Sequence, residues 1–160
     1  MGLRPVDAAR SSWHRPWSDA TPPLTHDEAL RRFARSRVAH LATIGRDGRP
    51  DVVPITFALD GQTVYTGVDH KPKRSRELAR LANIERDPRV TLLADRYDDT
   101  WSKLWWVRLR GDASVVADGT DLDLGIQALT EKYEQYRRTR LRGPIVVVRV
   151  ESVLGWAAVG

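Results

Sequence analysis

The clearest pattern in the chain is the alternation in "PDVVPITFAL" (50–59). Val53, Ile55, Phe57 and Leu59 fall on one side of an extended strand, and Val52, Pro54, Thr56 and Ala58 on the other. Asp47-Gly48 before it and Asp60-Gly61 after it are hairpin pairs. The flanking runs "VAHLATI" (38–44) and "TVYTGVD" (63–69) therefore pair with it as a three-stranded meander. "RVTLLADRY" (89–97), "WWVRLRGDASVV" (105–116) and "PIVVVRVESV" (144–153) bring the expected strands to six.

Helical spacing appears in three places. Thr25 and Glu28 form a capping box ahead of the stripe Ala29, Leu30, Phe33 and Ala34. Leu78, Leu81, Ala82 and Ile84 make a second stripe that stops before Asp87-Pro88. Thr120 with Asp123 opens the longest helix, whose Leu122, Ile126, Leu129, Tyr133 and Tyr136 share one face. This order predicts a mainly β, α+β domain: a small six-stranded antiparallel barrel with helices plugging its openings. Residues 24–160 form that domain. Residues 1–23 lack periodicity, end in a Pro pair and read as an extension, although Trp13 and Trp17 predict packing on the body or on a neighbouring subunit.

Composition narrows the chemistry. The chain has 160 residues, 41% of them hydrophobic, which suffices for one buried core. It has no cysteine, so disulfides, thiolate metal sites and thiol catalysis are excluded, and a reducing cytoplasm is the expected setting. No apolar run reaches the roughly 18–20 residues of a membrane span. The net charge of +5 favours anionic partners, but basic and acidic residues are interleaved throughout. Nucleic-acid binding is disfavoured, because the tryptophans cluster and do not interleave with a basic stripe. His14, His26, His40 and His70 show no metal-ligand spacing; His26 reads as a first-turn helix residue and His40 as a strand side chain.

"VDHKPKRSRE" (68–77) places Lys71, Lys73 and Arg74 around Pro72, where a strand ends and a helix begins. A solvated helix start is the plain reading. Yet three cations at the positive end of a helix are destabilising unless an anion sits there, and the helix N-terminus adds donors for one. Thr66, in the preceding strand, can add a hydroxyl. Pro54 removes one ladder donor from its strand, which places it at an edge, at a bulge or against a ligand.

The phrases "RVAHLATIGRDGRPDVVPITFALDG", "VYTGVDHKPKR", "LANIERDPRVTLLADRYDDTWSKLWWVRLRG" and "GPIVVVRVESVLGWAA", in this order, resemble the split β-barrel flavin/deazaflavin-binding superfamily that includes the pyridoxamine 5′-phosphate oxidases. Within it the chain is most similar to the coenzyme F420-dependent branch. The resemblance implies a homodimer that binds two cofactors between its subunits, with the ring along the second and third strands and the phosphate tail at Lys71, Lys73 and Arg74. It carries ring contacts onto Val53, Pro54, Ile55 and Thr56, much of them from main chain, a tail contact onto Arg49, and a cofactor neighbour onto Trp101. Trp105 and Trp106 read as core or interface. The implied activity is hydride transfer between coenzyme F420 and a small conjugated substrate. An FMN-dependent oxidase or reductase, or a non-catalytic cofactor or tetrapyrrole carrier, is the alternative.

Overall fold

Thr25 caps the first helix as the capping box predicts: its hydroxyl accepts from the Glu28 N–H, and the Glu28 carboxylate accepts from the Thr25 N–H. The computed structural model describes residues 23–68 and 74–158, and of 74–78 the backbone alone. The elements run α1 His26–Arg35, β1 Ala39–Ile44, β2 Pro50–Ile55, β3 Ala58–Asp60, β4 Thr63–Gly67, α2 Arg74–Arg86, β5 Arg89–Arg96, a 3-10 turn Trp101–Lys103, β6 Trp105–Val116, α3 Thr120–Lys132, α4 Glu134–Arg138 and β7 Ile145–Ala157. All neighbouring strands pair antiparallel, in the order β2-β1-β5-β6-β7-β4-β3.

The two edges of this sheet, β2 and β3, are consecutive pieces of one extended stretch. The chain pairs with β1 through Ile55, leaves that ladder at Thr56-Phe57, and pairs with β4 from Ala58. The expected count of six is thus corrected to seven. Alternation runs unbroken through 50–59, so nothing in the side-chain pattern marks where the backbone changes partner. That crossing closes the sheet into a split barrel.

The crossing leaves the Phe57 backbone without a ladder, and unpaired buried peptide groups are costly. Tyr133 fills the gap. Its hydroxyl accepts from the Phe57 N–H at 3.1 Å and lies within donating distance of the carbonyls of Arg37, 2.8 Å, and Phe57, 3.0 Å. Tyr133 sits in extended backbone between α3 and α4, so the single long helix expected over this region is broken there. It opens at Thr120 as expected, with Gly119, at φ 82°, as the N-cap and no side-chain cap bond among the described residues.

Two apolar clusters follow from this geometry. Inside the barrel, Leu41, Phe57, Leu92, Leu109 and Val148 pack under Phe33 of α1 and Ile84 of α2. Outside it, α3 and the Tyr133–Tyr136 segment cover Ala58, Tyr65, Ile145 and Val147. Both faces of the sheet are therefore buried at β3, β4 and the start of β7. Gly125 permits this close approach, because a methyl there would collide with Ile145 and Tyr65.

Lys132 ends α3 with its ammonium buried, 3.8 Å from the centre of the Phe57 ring and without a hydrogen-bond acceptor among the described residues. Desolvation, with the Arg37 charge assisting, holds its pKa down at about 8. The unfolded chain then binds more protons than the folded one between pH 8 and the ordinary lysine value of 10.5, so this group adds stability as pH rises through that window. Two stability measurements follow. Between pH 7 and 9.5 the wild type should gain stability relative to Lys132→Met; equal pH responses would rule out a desolvated ammonium. Tyr133→Phe should destabilise the fold by about 2–3 kcal/mol in denaturant titration, because it orphans buried backbone groups.

Candidate functional site

The crossing between the two ladders also marks where helical cover stops. On the outward side of the sheet, Ala58 lies under α3, whereas Pro54 and Val52 are exposed. Strand registers extend this uncovered face across the barrel: Pro54, His40, Leu93, Arg108 and Leu154 form one cross-strand row. Val52, Ala42, Thr91, Arg110 and Ser152 form the next. Val52, at 60% exposure, Leu93 and Leu154 give this face an apolar character.

Thr56 stands on the boundary. It is half-buried, and its hydroxyl meets that of Tyr136, from α4, at 2.7 Å. Continuing the Ala58–Tyr65 register would set Thr56 opposite Gly67, the last residue of β4, so Thr56 lies at the end of β4 that leads into the basic run. Thr66 belongs to the same corner. Alternation with Val64 turns it toward the barrel interior, where it is 1% exposed and its hydroxyl has no hydrogen-bond partner among the described residues. A buried hydroxyl left in this state costs about 1–3 kcal/mol.

The structure thus places Pro54, Ile55 and Thr56 along one strand end, and Thr66 near the end of β4 with its side chain turned inward. Val53 and Ile55 turn their side chains toward the core, leaving their main chain as the group available to a ligand. Lys71 and Lys73 lie outside the described residues, as do His70 and the side chain of Arg74. Arg49 stands apart: it is exposed in the β1–β2 hairpin beside Asp47, 3.5 Å away. It lies seven positions before Thr56, about 23 Å of extended chain at ~3.3 Å per residue. Trp101, 72% exposed, projects from the β5–β6 connection together with exposed Tyr97. That connection lies beyond the Pro54–Leu93 row, at the same end of the sheet as Thr56. Trp105 is half-buried against the core, and Trp106 pairs with Trp156 on the outward face.

Two contributors escaped the sequence reading. The spacing of Tyr136 assigned it to an apolar stripe, and only its phenolic tip, which periodicity ignores, reaches Thr56. Asn83 lies on the buried side of α2, where an amide breaks the apolar pattern. It donates to the Thr43 hydroxyl at 3.1 Å and to the Asp51 carboxylate at 2.9 Å, while Arg86 bridges the Asn83 carbonyl and the Ile44 backbone carbonyl. This network fastens the C-terminal part of α2 to the β1–β2 hairpin.

The sequence profile of the family described as pyridoxamine 5′-phosphate oxidase matches residues 25–157. Among solved structures, the chain is similar to a conserved hypothetical protein of Mycobacterium tuberculosis, with 21% identity over 88% of this chain and 89% of that one, at a TM-score of 0.70. It is similar to an FAD-binding protein of Mycobacterium smegmatis, with 22% identity over 83% and 94% and a TM-score of 0.56. The heme-storage protein HutZ of Vibrio cholerae shares 17% identity over 81% and 94%, with a TM-score of 0.60. At these identities the structural likenesses establish a common fold. It is the flavin-binding split-barrel architecture, mainly antiparallel sheet with helices.

Thr66 offers a direct check on the corner. Thr66→Val should leave the ligand-free protein as stable as the wild type or more so, since no partner is lost. It should also weaken uptake of a phosphate-bearing cofactor by about tenfold or more, the loss of one charge-assisted hydrogen bond. Unchanged affinity for FMN and coenzyme F420 would remove Thr66 from the site.

Proposed function

The chain belongs to the pyridoxamine 5′-phosphate oxidase family, and on that premise we propose that it is a coenzyme F420-dependent oxidoreductase acting on a small conjugated substrate. The observation that carries this reading is the uncovered sheet face that begins at Thr56, beside the end of β4 from which the basic run departs. Pro54, His40 and Leu93, side by side on three neighbouring strands, provide a flat platform wide enough for a three-ring heterocycle. Pro54 has no N–H, so the platform there is free of one directional donor. Lys71, Lys73 and Arg74 supply the positive charge that an anionic tail requires.

The division of labour follows from what these residues can do. A reduced deazaflavin supplies hydride from the carbon that replaces the N5 of a flavin. The platform orients the ring, the hydroxyl of Thr56 fixes its edge, and aromatic groups at the sheet end, Tyr97 and Trp101, can cover it and exclude water. No acid–base pair converges on this face among the described residues, which suits chemistry carried by a bound cofactor.

A homodimer completes the site. Val52, Leu93 and Leu154 leave an apolar stretch on the same outward face, and a second copy would bury it while enclosing the cofactor between subunits. Coenzyme F420 is favoured over other rings by the resemblance of the chain to that branch. FMN or FAD is the second reading, supported by the FAD-binding protein of the same fold. A bound tetrapyrrole, as in the heme-storage relative by fold, would announce itself by its absorbance.

Side-by-side equilibrium titration with coenzyme F420, FMN and FAD tests the proposal, with coenzyme F420 expected to bind most tightly. Replacing Lys71, Lys73 and Arg74 together by alanine should weaken that binding by about a hundredfold or more, at ~1.5–3 kcal/mol per charge-assisted hydrogen bond, without unfolding the protein. Unchanged affinity would place the tail elsewhere. Sedimentation at micromolar concentration should return twice the chain mass; a monomer would contradict the shared site.

A further inference from the structure

Tyr136 lies outside the strands that the ring is expected to follow, yet it makes the one side-chain hydrogen bond that the described structure gives Thr56. The contact joins residues 80 positions apart, across the boundary between covered and uncovered sheet. Tyr136 itself is half-buried: its ring meets that of Tyr133 edge to face, with centroids 5.7 Å apart. Tyr133 is in turn fixed by the Phe57 and Arg37 backbone. The phenol of Tyr136 is therefore held in place by the same device that closes the barrel.

The polarity of this contact decides what Thr56 can offer a ligand. A threonine hydroxyl carries one proton and two lone pairs. Of two hydroxyls 2.7 Å apart, the phenol is the stronger donor and the aliphatic oxygen the better acceptor. With Tyr136 donating, the Thr56 proton is free to point along the uncovered face, and its donor strength is raised by the bond it accepts.

Resting on the cofactor reading above, we infer that Tyr136 is a positioning residue of the cofactor site, which turns Thr56 into a committed hydrogen-bond donor toward an acceptor atom on the ring edge. The ligand class follows: a heterocycle with a carbonyl oxygen or unprotonated nitrogen on the edge that meets the sheet. A ring with only N–H groups on that edge would be rejected, because the Thr56 proton would face another donor.

Binding and visible absorption of the cofactor, measured on Thr56→Val, Thr56→Ser, Tyr136→Phe and the Thr56→Val/Tyr136→Phe double variant, test this. Whichever of coenzyme F420 and FMN the wild type takes up is the probe. Thr56→Val and Tyr136→Phe should each weaken binding by about threefold to tenfold, the range for one neutral hydrogen bond, and shift the absorption band of the bound ring. Thr56→Ser should keep wild-type affinity and spectrum. The double variant should bind no more weakly than Thr56→Val, since both changes remove the same donor. Wild-type affinity and spectrum in Tyr136→Phe, or losses that simply add in the double variant, would overturn the inference. A wild type that binds neither ring would instead overturn the cofactor reading itself, before any substitution is compared.

Discussion

One hydroxyl group holds the barrel shut. Where the chain leaves β1 and has not yet reached β4, the Phe57 peptide groups have no strand to pair with, and Tyr133 supplies the missing partner from outside the sheet. The same oxygen reaches the Arg37 carbonyl just ahead of β1, so one side chain ties the crossing to the strand that it leaves. Buried peptide groups tolerate no vacancy of this kind, and the helix that carries Tyr133 must break to place it. The split of the barrel, the break between α3 and α4, and the limit of helical cover are three results of that one requirement.

The proposed function is built on this limit. Inward of Thr56 the sheet is packed on both sides; outward of it, five strands present rows that no helix of the described structure covers. A flat ligand needs such a face, and a charged tail needs a nearby source of positive potential. On the proposed reading the sequence run that begins at Lys71, after the end of β4, supplies the second, while the Asn83 network ties the C-terminal part of α2 to the β1–β2 hairpin. In the proposed function, such fixed walls orient a cofactor that itself carries the reaction, with no acid–base pair needed among the described residues.

Much of the fold was legible in the chain. The capping box at Thr25, the hairpin pairs Asp47-Gly48 and Asp60-Gly61, and the strand over 105–116 appear where local pattern places them. What pattern could not show was partner exchange. Alternation through Val53, Ile55, Phe57 and Leu59 is the same whether one strand pairs throughout or two halves pair with different neighbours. The start of α3 at Thr120 was legible too, though Gly119 at positive φ forms its cap. At the site, the edge position of Pro54 was one of the places its missing donor allowed, and it stands on an edge strand. Tyr136 and Asn83 were not legible, since long-range polar contacts depend on which elements meet in space.

Where the ring lies is decisive. A solved structure of the protein with coenzyme F420 measures this most directly. The ring should rest on the outward face against Pro54 and Thr56, with its anionic tail turned toward residues 71–74. A ring seated elsewhere, such as the cavity of about 460 Å³ that Ala34, Leu59, Leu124 and Lys132 help to line, would contradict it.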